Sequence, residues 1–152
     1  MPGVIKDSAL AEITLRRYEK PFKMSSRDLV KKLCLSLGLL QEGDSRDCIV
    51  DILQIFLEAK KAKTLLNIET INNDVIKLRK NARLPLIGIA ASNIRRQLKK
   101  LREIHLVEKI NEGYRISEFE SLATLFEERT EKIYIRSISD RVKDYIKAVE
   151  QL

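Results

Sequence analysis

Ala90-Ala91-Ser92-Asn93-Ile94-Arg95-Arg96-Gln97-Leu98-Lys99-Lys100-Leu101-Arg102-Glu103-Ile104-His105-Leu106-Val107-Glu108-Lys109-Ile110-Asn111-Glu112-Gly113-Tyr114-Arg115-Ile116-Ser117 is the stretch whose reading decides the fold. On a wheel of about 100° per residue, Ile94, Leu98 and Leu101 fall together, and Ser92, Arg96, Lys99 and Glu103 fall opposite. Asn93, Arg95 and Lys100 lie on the flanks. The spacing predicts a helix over 91–104 with an apolar inner face and a polar, cationic outer face. The second half changes period. Residues 107–110 and 114–116 read as two short strands around Asn111-Glu112-Gly113, with Gly113 supplying the positive φ of a three-residue hairpin loop.

Upstream, Ser25 with Asp28 reads as an N-cap and its acidic partner, opening a helix through Leu29, Val30, Leu33 and Leu37 that Gly38 can end. Gln41-Glu42-Gly43 is a turn. Asp44 is expected to cap a longer helix, with Asp47 in its first turn near the positive end of the dipole. Its apolar stripe is Ile49, Ile52, Leu53, Phe56 and Leu57, and Lys60, Lys61 and Lys63 lie at its negative end. Asn67 caps the next helix, with Ile68, Ile71, Val75, Ile76 and Leu78 facing inward. Residues 83–90, with Pro85 and Gly88, form a loop longer than the roughly 3–4 residues of a helix-turn-helix turn. Residues 11–18 fit a strand or a helix equally, and Pro21 ends either.

Downstream, Ser117 with Glu120 reads as a capping box for a helix carrying Phe119, Leu122, Leu125 and Phe126, and Ser137 with Asp140 as another. Ile138, Val142, Tyr145, Val149 and Leu152 then alternate at four and three, a heptad-like seam. The seam loses phase before Ile133, so two helices broken at 134–137, or one bent helix, are expected. The seam either packs back on the chain or pairs with a second subunit, and pairing is favoured. Three regions follow: 1–43, an extension with one helix; 44–117, the central domain; 118–152, C-terminal helices.

The totals fit this organisation. The chain has 152 residues, 44% of them hydrophobic, which suffices for a core. Its net charge of +7 favours a polyanionic partner, because neutralised phosphates release condensed counterions. No apolar run reaches the roughly 18 residues of a membrane span, and residues 1–7 lack the apolar stretch of a signal peptide, so a cytoplasmic protein is expected. Cys34 and Cys48, with one His in the chain, are read as buried thiols, not metal ligands. Glu42, Asp44, Asp47 and Asp51 are read as caps and a solvated face. Lys31-Lys32 and Lys60-Lys61 either extend a basic surface or are simply solvated. With no Trp, stacking platforms for single strands are poorly supplied. Neither a phosphate-binding Gly loop nor a nucleophile elbow is present, and no enzyme, cofactor or metal site is expected. Abundant Ile, Lys and Glu with scarce Gln point toward a thermophilic source.

The stretch 97–110, ending Gly113-Tyr114-Arg115-Ile116, resembles the recognition helix and wing of winged helix-turn-helix transcription regulators. It is broadly similar to the multiple-antibiotic-resistance and arsenical-resistance repressor types. Those read Leu-x-x-Leu-x-x-x-Gly-Leu-Val, then a turn, then an aromatic and an apolar strand. The likeness covers about 91–116, with helix order alone agreeing over 44–82. This chain departs in placing His105 where the family has Gly, at a position that takes a left-handed conformation to end the helix. The resemblance implies a mainly α fold with a small β-hairpin wing, N-terminal extension and C-terminal helices, in an archaeal, sequence-specific regulator of double-stranded DNA acting as a homodimer through its C-terminal helices. It implies Ser92, Asn93, Arg95, Arg96 and Lys99 in the major groove, where Arg reads guanine and Asn adenine. Lys100, Lys109 and Arg115 are then phosphate contacts, and Glu112 at the wing tip disfavours deep minor-groove entry. The competing reading is a winged-helix protein-interaction module in a larger assembly, without direct DNA readout.

Overall fold

The computed structural model describes residues 3–152. Its elements run α1 (Ser26–Ser36), α2 (Cys48–Lys61), α3 (Ile68–Asn81), α4 (Ala91–Glu103), β1 (Val107–Ile110), β2 (Gly113–Ile116), a 3-10 turn (Ser117–Phe119), α5 (Leu122–Leu125), a π-helical stretch (Phe126–Ile135) and α6 (Arg136–Glu150). The chain is mainly helical with one small antiparallel hairpin. Residues 3–25 form neither strand nor helix. They run as a strap, and both alternatives for 11–18 are set aside. Alternation there serves a different end: Ile13 packs against the core while the Arg16 N–H donates to the Ser36 carbonyl at 2.9 Å.

Two of the expected caps form. Ser25 Oγ accepts from the Asp28 N–H at 3.1 Å, and Asn67 Oδ1 from the Thr70 N–H at 2.8 Å. Gly38, at φ +70°, ends α1 and leaves room for the strap: a Cβ there would lie 2.2 Å from the Thr14 carbonyl oxygen. The cap expected at Asp44 does not form. Its carboxylate instead accepts from the Arg46 N–H at 2.9 Å in the preceding turn, and α2 begins at Cys48. Asp47 precedes the helix and turns inward, so Asp47 and Asp51 are not part of a solvated acidic face.

Their partner is Arg79 of α3, 1% exposed and invisible to the hydropathy pattern. Its guanidinium donates to Asp47 at 2.9 Å, to Asp51 at 2.8 Å, and through Nε to the Pro85 carbonyl at 2.7 Å. Arg27 of α1 reaches the same two carboxylates. Two cations and two anions thus tie α1, α2 and α3 together, with no buried polar side chain among the described residues left unpaired. Around this network lies the apolar core. Ile49, Ile52, Leu53 and Phe56 of α2 meet Ile71 and Val75 of α3 and Ile94, Leu98 and Leu101 of α4. Burial of each such side chain contributes on the order of 2 kcal/mol.

The hairpin pairs Val107 with Ile116 and Ile110 with Gly113, so only Asn111 and Glu112 form its loop. The positive φ falls on Asn111 (54°), not on Gly113 as the sequence suggested. Gly113 is needed for space, since a Cβ would approach Leu65 Cβ to 3.0 Å. The reason is a pairing the sequence did not reveal. Leu66, in the α2–α3 connection, exchanges backbone hydrogen bonds with Tyr114 at 2.9 and 2.7 Å, holding the hairpin against the helices.

After β2 the expected capping box is also rearranged. Ser117 Oγ donates to the His105 carbonyl, Ser121 caps α5 by accepting from the Thr124 N–H at 3.1 Å, and Glu120 accepts from the Ser121 N–H. Nor does the helix break at 134–137. Ser137 Oγ donates to the Tyr134 carbonyl within the helix, and Asp140 pairs with Arg136. Leu122 to Glu150 is one helical rod in which the wide turns of the π stretch absorb the change of phase that the sequence showed.

Candidate nucleic-acid interface

α4 owes its orientation to both ends. Ahead of it, the long loop is held by side chains. Arg79 grips Pro85, Asn72 of α3 donates to the Ile89 carbonyl, and Asn93 Nδ2 donates to the Gly88 carbonyl at 2.7 Å. Gly88 has φ +75°, and a Cβ would collide with the Asn93 amide at 2.8 Å. Behind it, His105 takes φ 67°, the left-handed conformation expected at this position, and the Leu106 N–H returns to the Leu101 carbonyl at 3.1 Å. The Ile104 carbonyl accepts from the buried Thr130 hydroxyl at 2.6 Å. The His105 ring meets Tyr134 edge-on at 5.6 Å, and the Tyr134 hydroxyl bridges the Glu12 backbone N–H and carbonyl. The α4 terminus is thereby linked to the rod and to the strap.

The inner face of α4 is apolar apart from Gln97: Ile94, Leu98 and Leu101 are each at most 1% exposed. Ser92, Arg95, Arg96, Lys99 and Lys100 are exposed and project together from the opposite side. None of these four cations has an ion-pair partner among the described residues. Elsewhere some cations are ion-paired, such as Lys32 with Glu19 and Lys61 with Glu58; what sets α4 apart is four unpaired ones on one side of a single helix. The first turn of α4 has no side-chain cap; its Asn93 N–H turns back to the Ala90 carbonyl at 3.0 Å, and no side chain accepts from the Ala91 or Ser92 N–H.

Two of the eight expected contact residues are placed differently. Asn93 is half-buried and engaged, with its amide donating to Gly88 and accepting from Gln97. It holds the loop and is turned from the cationic face. Arg115, on β2, is paired with Glu108 at 2.7 Å and lies 4.9 Å from the Phe119 ring. Glu108 also accepts from the Glu118 N–H. Burial raises its carboxyl, but that hydrogen bond and Arg115 prevail, and it ionises below its usual range. Lys109 is exposed, beside the Tyr114 ring.

A cleft of about 530 Å³ continues the face past the end of α4, between Lys99, Arg102, His105, Lys109 and Arg129, with Glu103 and Glu108 on its walls. Arg102 and Arg129 were not among the expected residues. Arg102, three positions beyond Lys99, was legible on the wheel. Arg129 comes from the rod, and no local pattern announces it. Among the described residues no cluster of His, Cys, Asp and Glu is placed to hold a metal ion, and no helix is long and apolar enough to cross a membrane. Set against known families, curated proteins and solved structures, the chain matches none of them.

Proposed function

We propose that the chain is a winged helix-turn-helix transcription regulator that binds double-stranded DNA in a sequence-specific manner, as a homodimer through its C-terminal helices. Helices α2, α3 and α4 followed by the hairpin, with Leu66 as a third short strand, supply the order this reading needs. The observation that carries it is the unpaired cationic face of α4. Four cations without partners on one side of a rigidly held helix self-repel, and are compensated when a polyanion lies against them.

In this reading α4 enters the major groove. Arg95 and Arg96 are the base readers, each suited to a guanine edge, and Ser92 with the free N–H groups of the first turn meets phosphate. Lys99, Lys100 and Lys109 position the duplex by phosphate contact. Asn93 does not read adenine, because its amide is engaged by the loop. Arg115, paired with Glu108, gives at most a weak contact.

Selection of bound sites from a random duplex library tests the reading. An enriched motif with two related half-sites about 34–36 Å apart is expected. Replacing Arg95 or Arg96 by Ala should cost about 1–3 kcal/mol on that motif and relax preference at one position. Binding with no enriched motif, or with no dependence on salt, defeats it.

A further inference from the structure

We infer that α6 pairs antiparallel with α6 of a second copy, in one defined register whose two-fold axis passes between Lys143 and Asp144. The inference deepens the homodimer proposed above and rests on that part of the reading.

Ile135, Ile138, Val142, Tyr145, Val149 and Leu152 occupy successive a and d positions of a heptad. Ile135 and Ile138 are half-buried by their own chain, and the four that follow are left open. Val142 is 52% exposed, Tyr145 70%, Val149 64% and Leu152 fully exposed. Every charge on α6 except Arg141 falls at positions pointing away from this seam. Arg141 is engaged with Asp144 in its own helix at 3.3 Å. A stripe of 3.5-residue period whose one charged flank is already paired within its own helix fits another helix of the same period.

The occupant follows from charge and size. α6 carries Arg136, Arg141, Lys143 and Lys147 against Asp140, Asp144 and Glu150, close to neutral. A helix that lies on an anionic membrane needs a strongly basic polar face, which this one lacks. Its own copy fits better. An antiparallel arrangement about the stated axis sets Ile135 opposite the partner's Leu152, Ile138 opposite the partner's Val149 and Val142 opposite the partner's Tyr145. All six positions are matched, and each layer joins residues of different shape, the one aromatic ring meeting a valine. The flanks also agree: Arg141 faces the partner's Ala148, and Ser139 the partner's Ile146. A parallel pair would stack Tyr145 on Tyr145 and Val142 on Val142, giving layers of unequal thickness.

The strap joins this surface. Ser8 to Ala11 run beside Ile138, Val142 and Tyr145, leaving an open cavity of about 430 Å³ between strap and helix. Leu10 there is 96% exposed. A partner helix in the antiparallel register closes this cavity, with the partner's Ala148 leaving room for the strap.

Sedimentation of the full chain without DNA, and distances between spin labels, test the pairing. Cys34 and Cys48 are buried, and burial pushes the Cys34 thiol up to about 12, so an introduced cysteine is labelled alone. Labels on Gln151→Cys should lie about 22 Å apart along the axis, from 15 residues at 1.5 Å each, whereas labels on Lys143→Cys should lie nearly level. Val142→Glu with Val149→Glu should give a monomer with unchanged helix content, since both sites are exposed. Equal label distances at the two positions, a dimer that survives the double substitution, or a wild-type monomer at tens of micromolar would each overturn the proposal. So would a monomer that co-floats with phosphatidylserine vesicles. Because none of these readouts uses DNA, failure of groove binding and failure of this pairing are told apart.

Discussion

Three acceptors converge on the buried Arg79 guanidinium: Asp47 and Asp51 at Nη1 and the Pro85 carbonyl at Nε. Removing one charge from such a set leaves a buried guanidinium undercompensated. Asp51→Asn keeps the shape and deletes the charge, and should cost about 3–5 kcal/mol of unfolding free energy, read by urea titration. A loss below about 1 kcal/mol would mean the network is not holding the three helices. The same residues set the acid limb. Burial raises the Asp47 carboxyl, but the hydrogen bond from Arg79 and the charge of Arg27 outweigh it, and its folded value lies below the ordinary one. A depressed carboxyl contributes its full stability above the unfolded value, about 3.9, and loses it as pH falls through the lower folded value. Unfolding free energy should therefore stay level down to about pH 4 on this account and decline below it, with a shallower decline in Asp47→Asn. Gly38 belongs to this scale too. Gly38→Ala places a Cβ at 2.2 Å from the Thr14 carbonyl oxygen on a left-handed backbone, so the strap must lift. Faster amide exchange at Arg16, whose N–H donates to Ser36, should report it.

The elements were more legible than the residues that bind them together. Apolar spacing marked α2, α3 and α4 well, because branched side chains recur at helical period on their buried faces, among them Ile49, Ile52 and Leu53, Ile71 and Val75, and Ile94, Leu98 and Leu101. Capping motifs were a poorer guide. Ser25 and Asn67 cap, yet the patterns at Ser117 and Ser137 match equally well and do not. Their hydroxyls satisfy the carbonyls of His105 and Tyr134 instead, a choice made by tertiary packing that no four-residue pattern contains. Arg79 was illegible for the opposite reason: an arginine on an inward face reads as solvated until two buried carboxylates from another helix meet it. The π stretch left only the phase slip before Ile133 as its trace. Thr130, in that stretch, ties the rod to α4 by donating to the Ile104 carbonyl at 2.6 Å. Thr130→Val keeps the volume and strands a buried acceptor. It should cost about 1–3 kcal/mol and raise exchange at the last turn of α4 while leaving α2 unchanged, as hydrogen-exchange mass spectrometry would resolve.

Across the whole molecule, charge is unevenly shared. Residues 91–116 carry seven cationic and three acidic side chains, a net +4 out of the chain's +7. The candidate face was legible to that extent from sequence, since a wheel separates Arg95, Arg96 and Lys99 from Ile94, Leu98 and Leu101. Its limits were not. Asn93 is drawn inward by the Gly88 carbonyl, Arg115 is taken by Glu108, and Arg129 arrives from the distant rod. These assignments divide the cations into kinds that salt can distinguish. A cation that replaces a counterion on one phosphate contributes close to 0.9 to the slope of log affinity against log salt on duplex DNA. Lys100→Ala and Lys109→Ala should each make the slope shallower by about that amount and weaken all sequences alike. Arg115→Ala should leave it nearly unchanged, because its guanidinium is already compensated by Glu108. Lys61→Ala, paired with Glu58 at 3.2 Å at the end of α2, is the control expected to do nothing. Equilibrium binding at four or five salt concentrations separates these cases. If Arg115 flattens the slope as much as Lys100 does, the Glu108 pair opens on binding and the hairpin takes a larger share of the duplex than its acidic tip suggests.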